Sequence, residues 1–447
     1  MHSFHRSGWR TLVLPGAALL VAWSMWFYVN HVLIAHQRAD AAQKGTPRGN
    51  LSDLYPRWLG SRELLMHGRN PYSEEITGEI QEGYWGRRLD PQNPSDPKDE
   101  QAFAYPAYVA ILLTPTVKLP FPAVQRGAVW VLTVLTILSV FWWMRALRWR
   151  PDWSVTLAVL LLTVGSFQYI QGIKLQQLTL LVAAILAASA LLTVRGWLFA
   201  AGILLAVATI KPQLIAPLGL FLCLWTIAQW RQRQRLFWGF ALTLAALVGG
   251  AQAMLPTWIP DFWHAMAAYR QYTGGKSMFD VFAGPIVGKV LTGLALAVIA
   301  FLSWKFRHKP SDSPEFSLML AFVLATTLVV IPMFAPYNQI LLLPAIFLVL
   351  RDWPLAGERE GLVRLGGIAA ALFIGWPWIT SLGLFIASFL VPEQMLQRAW
   401  MIPLWTTFAI PGICVALLAL WILDAYTRLP QSSRQTPAAL ALNEDTR

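Results

Sequence analysis

LVLPGAALLVAWSMWFYVNHVLIA, residues 12–35, runs for 24 residues without an acidic or a Lys/Arg side chain. A helix needs about 20 apolar residues to cross the hydrocarbon core of a bilayer. The run follows a basic N-terminus, MHSFHRSGWR. A signal peptide would share that start, and Ala39-Asp40-Ala41 resembles a cleavage site. The apolar core of a signal peptide, however, spans only about 7–15 residues. The stretch therefore reads as a retained first transmembrane helix.

The rest of the chain repeats the pattern. Of the 447 residues, 56% are hydrophobic and 13% charged, where soluble domains carry about 25% charged residues. Further spans fall near 124–147, 153–170, 176–194, 236–255, 281–304, 316–333, 336–350, 365–390 and 403–426. The stretch 197–230 is long enough for two short spans split at Lys211-Pro212. Residues 105–117 are too short to cross. This predicts an all-α integral membrane protein of about 12 transmembrane helices. Residues 1–430 form one membrane domain, and 431–447 a polar cytoplasmic tail. No internal repeat is visible, which argues against inverted-repeat transporter folds.

Charge orients the chain. With the N-terminus inside, the basic junctions at 145–150, 195, 231–235, 305–309, 351–364 and 428 all fall on the same side as it. That is the positive-inside pattern, and it leaves the net charge of +12 needing no nucleic acid. Both termini are then cytoplasmic. The two cysteines, Cys223 and Cys414, lie in apolar runs, and the seven histidines form no ligand pair.

The polar residues concentrate in the first loop, His36 to Ala104. It holds eleven of the 23 acidic residues and nine of the 35 basic ones. Within it, Pro56 suits the first position of a helix over 56–67, with Gly68 as its C-cap. Trp58, Leu59, Leu65 and Met66 would form one apolar stripe around Arg62, as on a short surface helix. Asp53 lies just before that helix, either as a functional carboxylate or as an ordinary helix-start acid. Asp90, Asp96, Asp99 and Glu100 lie in a Pro/Asp/Lys-rich segment that reads as solvated loop. Four further polar features share the outer side: 171–177, Lys211-Pro212-Gln213, 256–280 and Pro336 to Gln339. Lys211 interrupts an apolar run, at a cost of about 2.5–3.5 kcal/mol at mid-membrane. It either snorkels to the interface or meets an anionic headgroup.

Asp53-Leu54-Tyr55-Pro56, Glu63-Leu64-Leu65 and Gly68 to Tyr72 together resemble the first-loop signature of glycosyltransferase family 87. These are bacterial polyprenol-phosphate-sugar-dependent enzymes of the membrane C-type superfamily. Phe103-Ala104-Tyr105-Pro106 resembles that family's Tyr-Pro-Pro segment, with Ala107 in place of the second proline. The start of the span at Gln177 resembles its Gly-Gln-x-Asn, with Gln176 for the glycine and Thr179 for the asparagine. Gly202 through Lys211-Pro212 resembles its Gly-rich helix ending in Lys-Pro. The resemblance implies inverting transfer of a sugar, most often mannose, from a polyprenyl phosphate to a lipid or glycan acceptor, outside the bacterial inner membrane. It implies Asp53 as catalytic base, with no metal or other cofactor. It places donor-phosphate or substrate binding at Lys211, Arg57, Arg62, Tyr55, Asn70, Tyr105, Gln177 and Asn338. The rival readings are a transporter, a lipid-linked-glycan flippase and a glycan ligase.

Overall fold

A computed structural model of the chain describes residues 8–90, 92–332, 335–357 and 362–432. Most of the polar tail, 433–447, thus lies outside the described residues, as does part of the 351–364 junction. The described residues are helical, with turns and loops between helices and no strand.

Five helices are long and apolar enough to cross a membrane, from Thr11–Lys44 to Leu365–Ala387. A sixth span is a pair bent by 49°, Trp153–Val164 with Phe167–Lys174. The other predicted spans fall on helices of 11 to 17 residues, except the last, which falls on Ile410–Ser432. Leu178–Val194, at 17 residues, rises only about 26 Å. The bilayer core is about 30 Å thick. Of the twelve predicted spans, length and composition support five, or six with the bent pair, as complete crossings. Residues 105–117 form only a five-residue helix, Val109–Leu113, and a 3-10 turn.

Successive helices run between two clusters of side chains. At one cluster the basic junctions meet. Arg148 pairs with Asp312 at 2.7 Å, and Arg351 donates to the Leu147 carbonyl at 2.6 Å. Arg233 donates to the carbonyls of Trp225, Arg307 and Lys309. At the other cluster the five polar features of the sequence converge on one cavity. Three short helices start or stop there: Leu178–Val194 after Gln177, Leu198–Ala208 before Lys211, and Pro212–Ala228 after it.

The first-loop helix spans Tyr55–His67 and ends at Gly68 with φ 66°. Its packing departs from the expected stripe. Trp58 and Leu59 are buried, but so are Ser61, Glu63 and Leu64, while Met66 is exposed. Tertiary contacts set this face rather than a bilayer surface. The Trp58 indole donates to the Thr116 carbonyl at 3.2 Å, and the Phe103 ring covers Gly60, where a Cβ would lie 2.3 Å from it. Glu63 is held by Arg69 at 2.8 Å.

Leu198–Ala208 and Trp230–Met254 cross with their backbones in contact. A Cβ at Gly202 would lie 2.2 Å from the Leu236 carbonyl oxygen, and one at Gly239 would lie 2.1 Å from that of Phe199. Small residues permit such crossings where hydrocarbon supplies no hydrophobic drive. We predict that Gly202→Val or Gly239→Val destabilises the folded protein by about 1–3 kcal/mol. Gly127→Val and Gly219→Val, where a Cβ meets open space, serve as controls. Thermal melts in detergent compare them, and equal melting temperatures for the two pairs would contradict this crossing.

Candidate active site

Asp53 sits on the turn into Tyr55–His67, and that turn is tied to the loop before Leu178–Val194. Its backbone N–H donates to the Leu175 carbonyl at 2.9 Å. The neighbouring Ser52 hydroxyl donates to Gln176 Oε1 at 2.6 Å, and Gln125 donates to the same oxygen at 3.0 Å. Gln176 itself has φ 48°, the left-handed region that glycine favours. It stands where the family resemblance expects a glycine, so that expectation has a backbone reason here.

Leu54, at the helix N-cap position, makes no side-chain cap, and the Asp53 carboxylate turns elsewhere. One oxygen accepts from the Tyr84 hydroxyl at 3.1 Å, and the other accepts from Gln177 Nε2. Burial raises the Tyr84 phenol well above its ordinary range, and the Asp53 charge adds to that. The phenol therefore stays a proton donor to the carboxylate. Gln177 Oε1 in turn accepts from Lys211 Nζ at 2.8 Å. The orientation of this amide is set chemically, because a carboxylate requires a donor and an ammonium an acceptor.

Lys211 caps Pro212–Ala228 and is only 6% exposed. Its second donor goes to Thr179 Oγ1 at 2.7 Å, and that hydroxyl donates to Asn338 Oδ1 at 2.9 Å. The rings of Tyr105 and Tyr337 face the ammonium at 5.7 and 5.4 Å. Among the described residues no carboxylate is within ion-pairing distance of it; its hydrogen bonds go to neutral groups. Arg57, also buried, donates to the Asp53 carbonyl at 2.8 Å and stacks over the Tyr105 ring at 4.5 Å.

These groups line a cavity of about 150 Å³. Of the residues singled out in the sequence, it brings together Asp53, Arg57, Tyr105, Gln177, Lys211 and Asn338. Three lie elsewhere. Tyr55 packs edge-on against Phe121, Arg62 stacks over Trp58 at 5.4 Å, and Asn70 donates to Asp261 at 2.9 Å.

The cavity also contains residues the sequence reading missed. Asp99 lines it, with Gln101 and with Tyr269 and Arg270 of Trp258–Thr273. The reading of Asp99 as solvated loop is therefore corrected. Asp90 and Glu100 are exposed, as that reading expects, whereas Asp99 is half-buried and lines the cavity, and the Asp96 carboxylate is withdrawn into an ion pair with Arg87. Burial pushes its carboxyl above the usual range; the Gln101 amide opposes this, and the nearby Asp53 charge reinforces it. The available signal was position, four residues before Phe103-Ala104-Tyr105-Pro106. Tyr84, the other missed group, carries no comparable mark.

The sequence model of glycosyltransferase family 87 matches residues 103–332, just over half of the chain. The chain belongs to glycosyltransferase family 87. No curated protein and no solved structure matches it. Membership makes it a membrane glycosyltransferase, with donor and acceptor substrates. The stretch matched to family 87 includes Tyr105, Gln177 and Lys211, while Asp53, Arg57 and Asn338 lie outside it. The hydrogen bonds through Gln177 and Thr179 connect the two sets.

A buried ammonium without an anion carries a desolvation cost that a bound anion would offset. Geranyl phosphate should therefore raise the melting temperature of the purified protein, by mass action on the folded state. At about 100 times its Kd the gain is about 2.7 kcal/mol. Lys211→Met should lose most of that gain, and an equal shift in both proteins would exclude Lys211 from anion binding.

Proposed function

We propose that the chain transfers a sugar, most often mannose, from a polyprenyl-phosphate donor to an acceptor hydroxyl, with inversion, on the extracytoplasmic side of a bacterial inner membrane. The observation that carries this reading is the Gln177 amide, which holds the Asp53 carboxylate and the Lys211 ammonium apart in one cavity. An acid–base reaction at one end and a phosphate at the other require that separation.

Asp53 takes the proton of the acceptor hydroxyl as its oxygen attacks the anomeric carbon. A sugar hydroxyl is a poor nucleophile at neutral pH, so the base must lie within hydrogen-bond reach of it. The bond from the anomeric carbon to the phosphate oxygen breaks on the opposite face. The electron pair leaves with polyprenyl phosphate, which changes from a diester with one charge to a monoester approaching two. Lys211 and Arg57 stand ready for that developing charge, and a preorganised cation stabilises it more in a water-poor cavity than in solvent. The mechanism as written uses no metal or other cofactor. The Tyr84 phenol holds one oxygen of Asp53, leaving its remaining lone pairs to the acceptor.

Charge supports this choice of side. The basic junctions gather at the end of the bundle away from the cavity, and the positive-inside rule puts that end in the cytoplasm. The donor's lipid chain would then lie in the bilayer, with its headgroup reaching the cavity where the short helices stop.

Asp53→Asn keeps the size of the side chain but cannot take a proton. It should lower the rate of sugar transfer about 10²- to 10⁴-fold, with the melting temperature and donor binding little changed. The measurement is transfer from a labelled polyprenyl-phosphate mannose by purified protein. Asp53→Asn activity within a few-fold of wild type would remove Asp53 as base.

A further inference from the structure

Asp53 and Asp99 are held by consecutive residues. Tyr84 donates to the Asp53 carboxylate at 3.1 Å, and the Trp85 indole donates to the Asp99 carbonyl at 3.2 Å. The C-terminal turn of Glu74–Trp85 thus fixes both aspartates beside one cavity. Their surroundings differ. Asp53 is joined through Gln177 to Lys211, on the side of the cavity proposed for the phosphate. Asp99 is gripped by Gln101, whose backbone N–H donates to Oδ1 at 3.3 Å and whose side chain donates to Oδ2 at 2.8 Å. To make that grip Gln101 adopts φ 50°, a conformation that L side chains adopt uncommonly.

The segment carrying Asp99 is also a wall. Asp99, Gln101 and Ala104 line the inner cavity, while Lys98, Glu100 and Ala102 line a wide groove of about 1360 Å³ on its other face. Asp90, Asp261 and His264 also line the groove, making it polar and suited to a hydrophilic acceptor. Asp99 and Asp53 line the same cavity, and Lys98 and Glu100, on either side of Asp99, line the groove.

We propose that Asp99 holds the acceptor, binding hydroxyls next to the one that reacts and selecting acceptors that carry a vicinal diol. A carboxylate offers about four lone-pair sites. Gln101 occupies one on each oxygen, which leaves one on each for a pair of neighbouring hydroxyls. Two such bonds fix both the distance and the rotation of a sugar ring, and so bring its third hydroxyl to Asp53. The inference rests on the transferase reading above and names the acceptor class for that site.

The test uses purified full-length protein, polyprenyl-phosphate mannose as donor, and two acceptors: octyl mannoside, which carries vicinal diols, and cyclohexylmethanol, which has one hydroxyl. Asp99→Asn should raise the KM for octyl mannoside at least about tenfold, as loss of a charge-assisted hydrogen bond does. Its kcat at saturating acceptor should change less than about threefold, because binding rather than the chemical step is altered. The preference for octyl mannoside over cyclohexylmethanol should fall by a similar factor, and the ratio of transfer to donor hydrolysis should fall with it. Gln101→Ala should shift the same quantities in the same direction by less, and it carries the test if Asp99→Asn fails to fold. A large fall in kcat with KM unchanged would make Asp99 the base and overturn the proposal. Unchanged KM and unchanged acceptor preference would also overturn it. If Asp53→Asn keeps its kcat while Asp99→Asn shows the KM shift, the base assignment fails and the acceptor site stands. A wild-type protein that consumes no polyprenyl-phosphate sugar ends both readings.

Discussion

One carboxamide, that of Gln177, lies between a carboxylate and an ammonium. A direct ion pair between Asp53 and Lys211 would satisfy both groups and remove the chemistry of each. The carboxylate would lose the lone pairs needed for a proton, and the ammonium would lose its attraction for an anion. The intervening amide satisfies one valence of each partner, Thr179 and Tyr84 take one more, and both groups line the cavity. Buried polar networks are tolerated only when their members are satisfied. Here Thr179 and Asn338 extend the network from the lysine, and Tyr84 completes it at the aspartate.

The same arrangement accounts for the short helices. Within a bilayer, an interrupted helix leaves backbone groups that need polar partners, so breaks occur where protein or a water-lined cavity supplies them. The break at Lys211 is of this kind, since the Tyr108 hydroxyl donates to the Thr209 carbonyl at 2.9 Å just before it. At the 3-10 helix Pro336–Leu342, the Tyr337 N–H donates to Gln171 Oε1 at 3.1 Å. Three of the short apolar helices, Leu178–Val194, Leu198–Ala208 and Pro212–Ala228, begin or end beside residues that line the cavity.

What the sequence disclosed follows the same division. Membrane class and the grouping of basic junctions were legible because they depend on composition and on charges summed over many residues. Gln177 and Lys211 stood out as polar groups at the ends of apolar runs and Asp53 by its place just before a loop helix, and the three line one cavity. Asp99 was not, because one aspartate among several in an acidic loop differs only in which way it faces. Its direction depends on Gln101 and Trp85, contacts that no periodicity encodes. Arg62 and Asn70 lie outside the inner cavity: Arg62 stacks over Trp58, and Asn70 donates to Asp261 and lines the outer groove.

Backbone strain marks what residue type does not. Four non-glycine residues among those described have positive φ: Leu51, Gln101, Arg148 and Gln176. Three of them lie within two residues of Asp53, Asp99 or Gln177. Such conformations cost of the order of 1–3 kcal/mol each and persist only where surrounding contacts over-determine them. Those contacts are visible here. The Leu51 N–H is bonded to the Tyr84 carbonyl, Gln101 is bound twice to Asp99, and the Gln176 side chain holds Ser52, Gln125 and the carbonyls of Ile173 and Lys174. Glycine at any of the three would relax the backbone. At Gln101 and Gln176 it would also remove the side chain that orients a neighbour. The strain is thus the cost of placing an orienting side chain where the turn favours none, and at Leu51 and Gln101 it falls two residues from a carboxylate that lines the cavity.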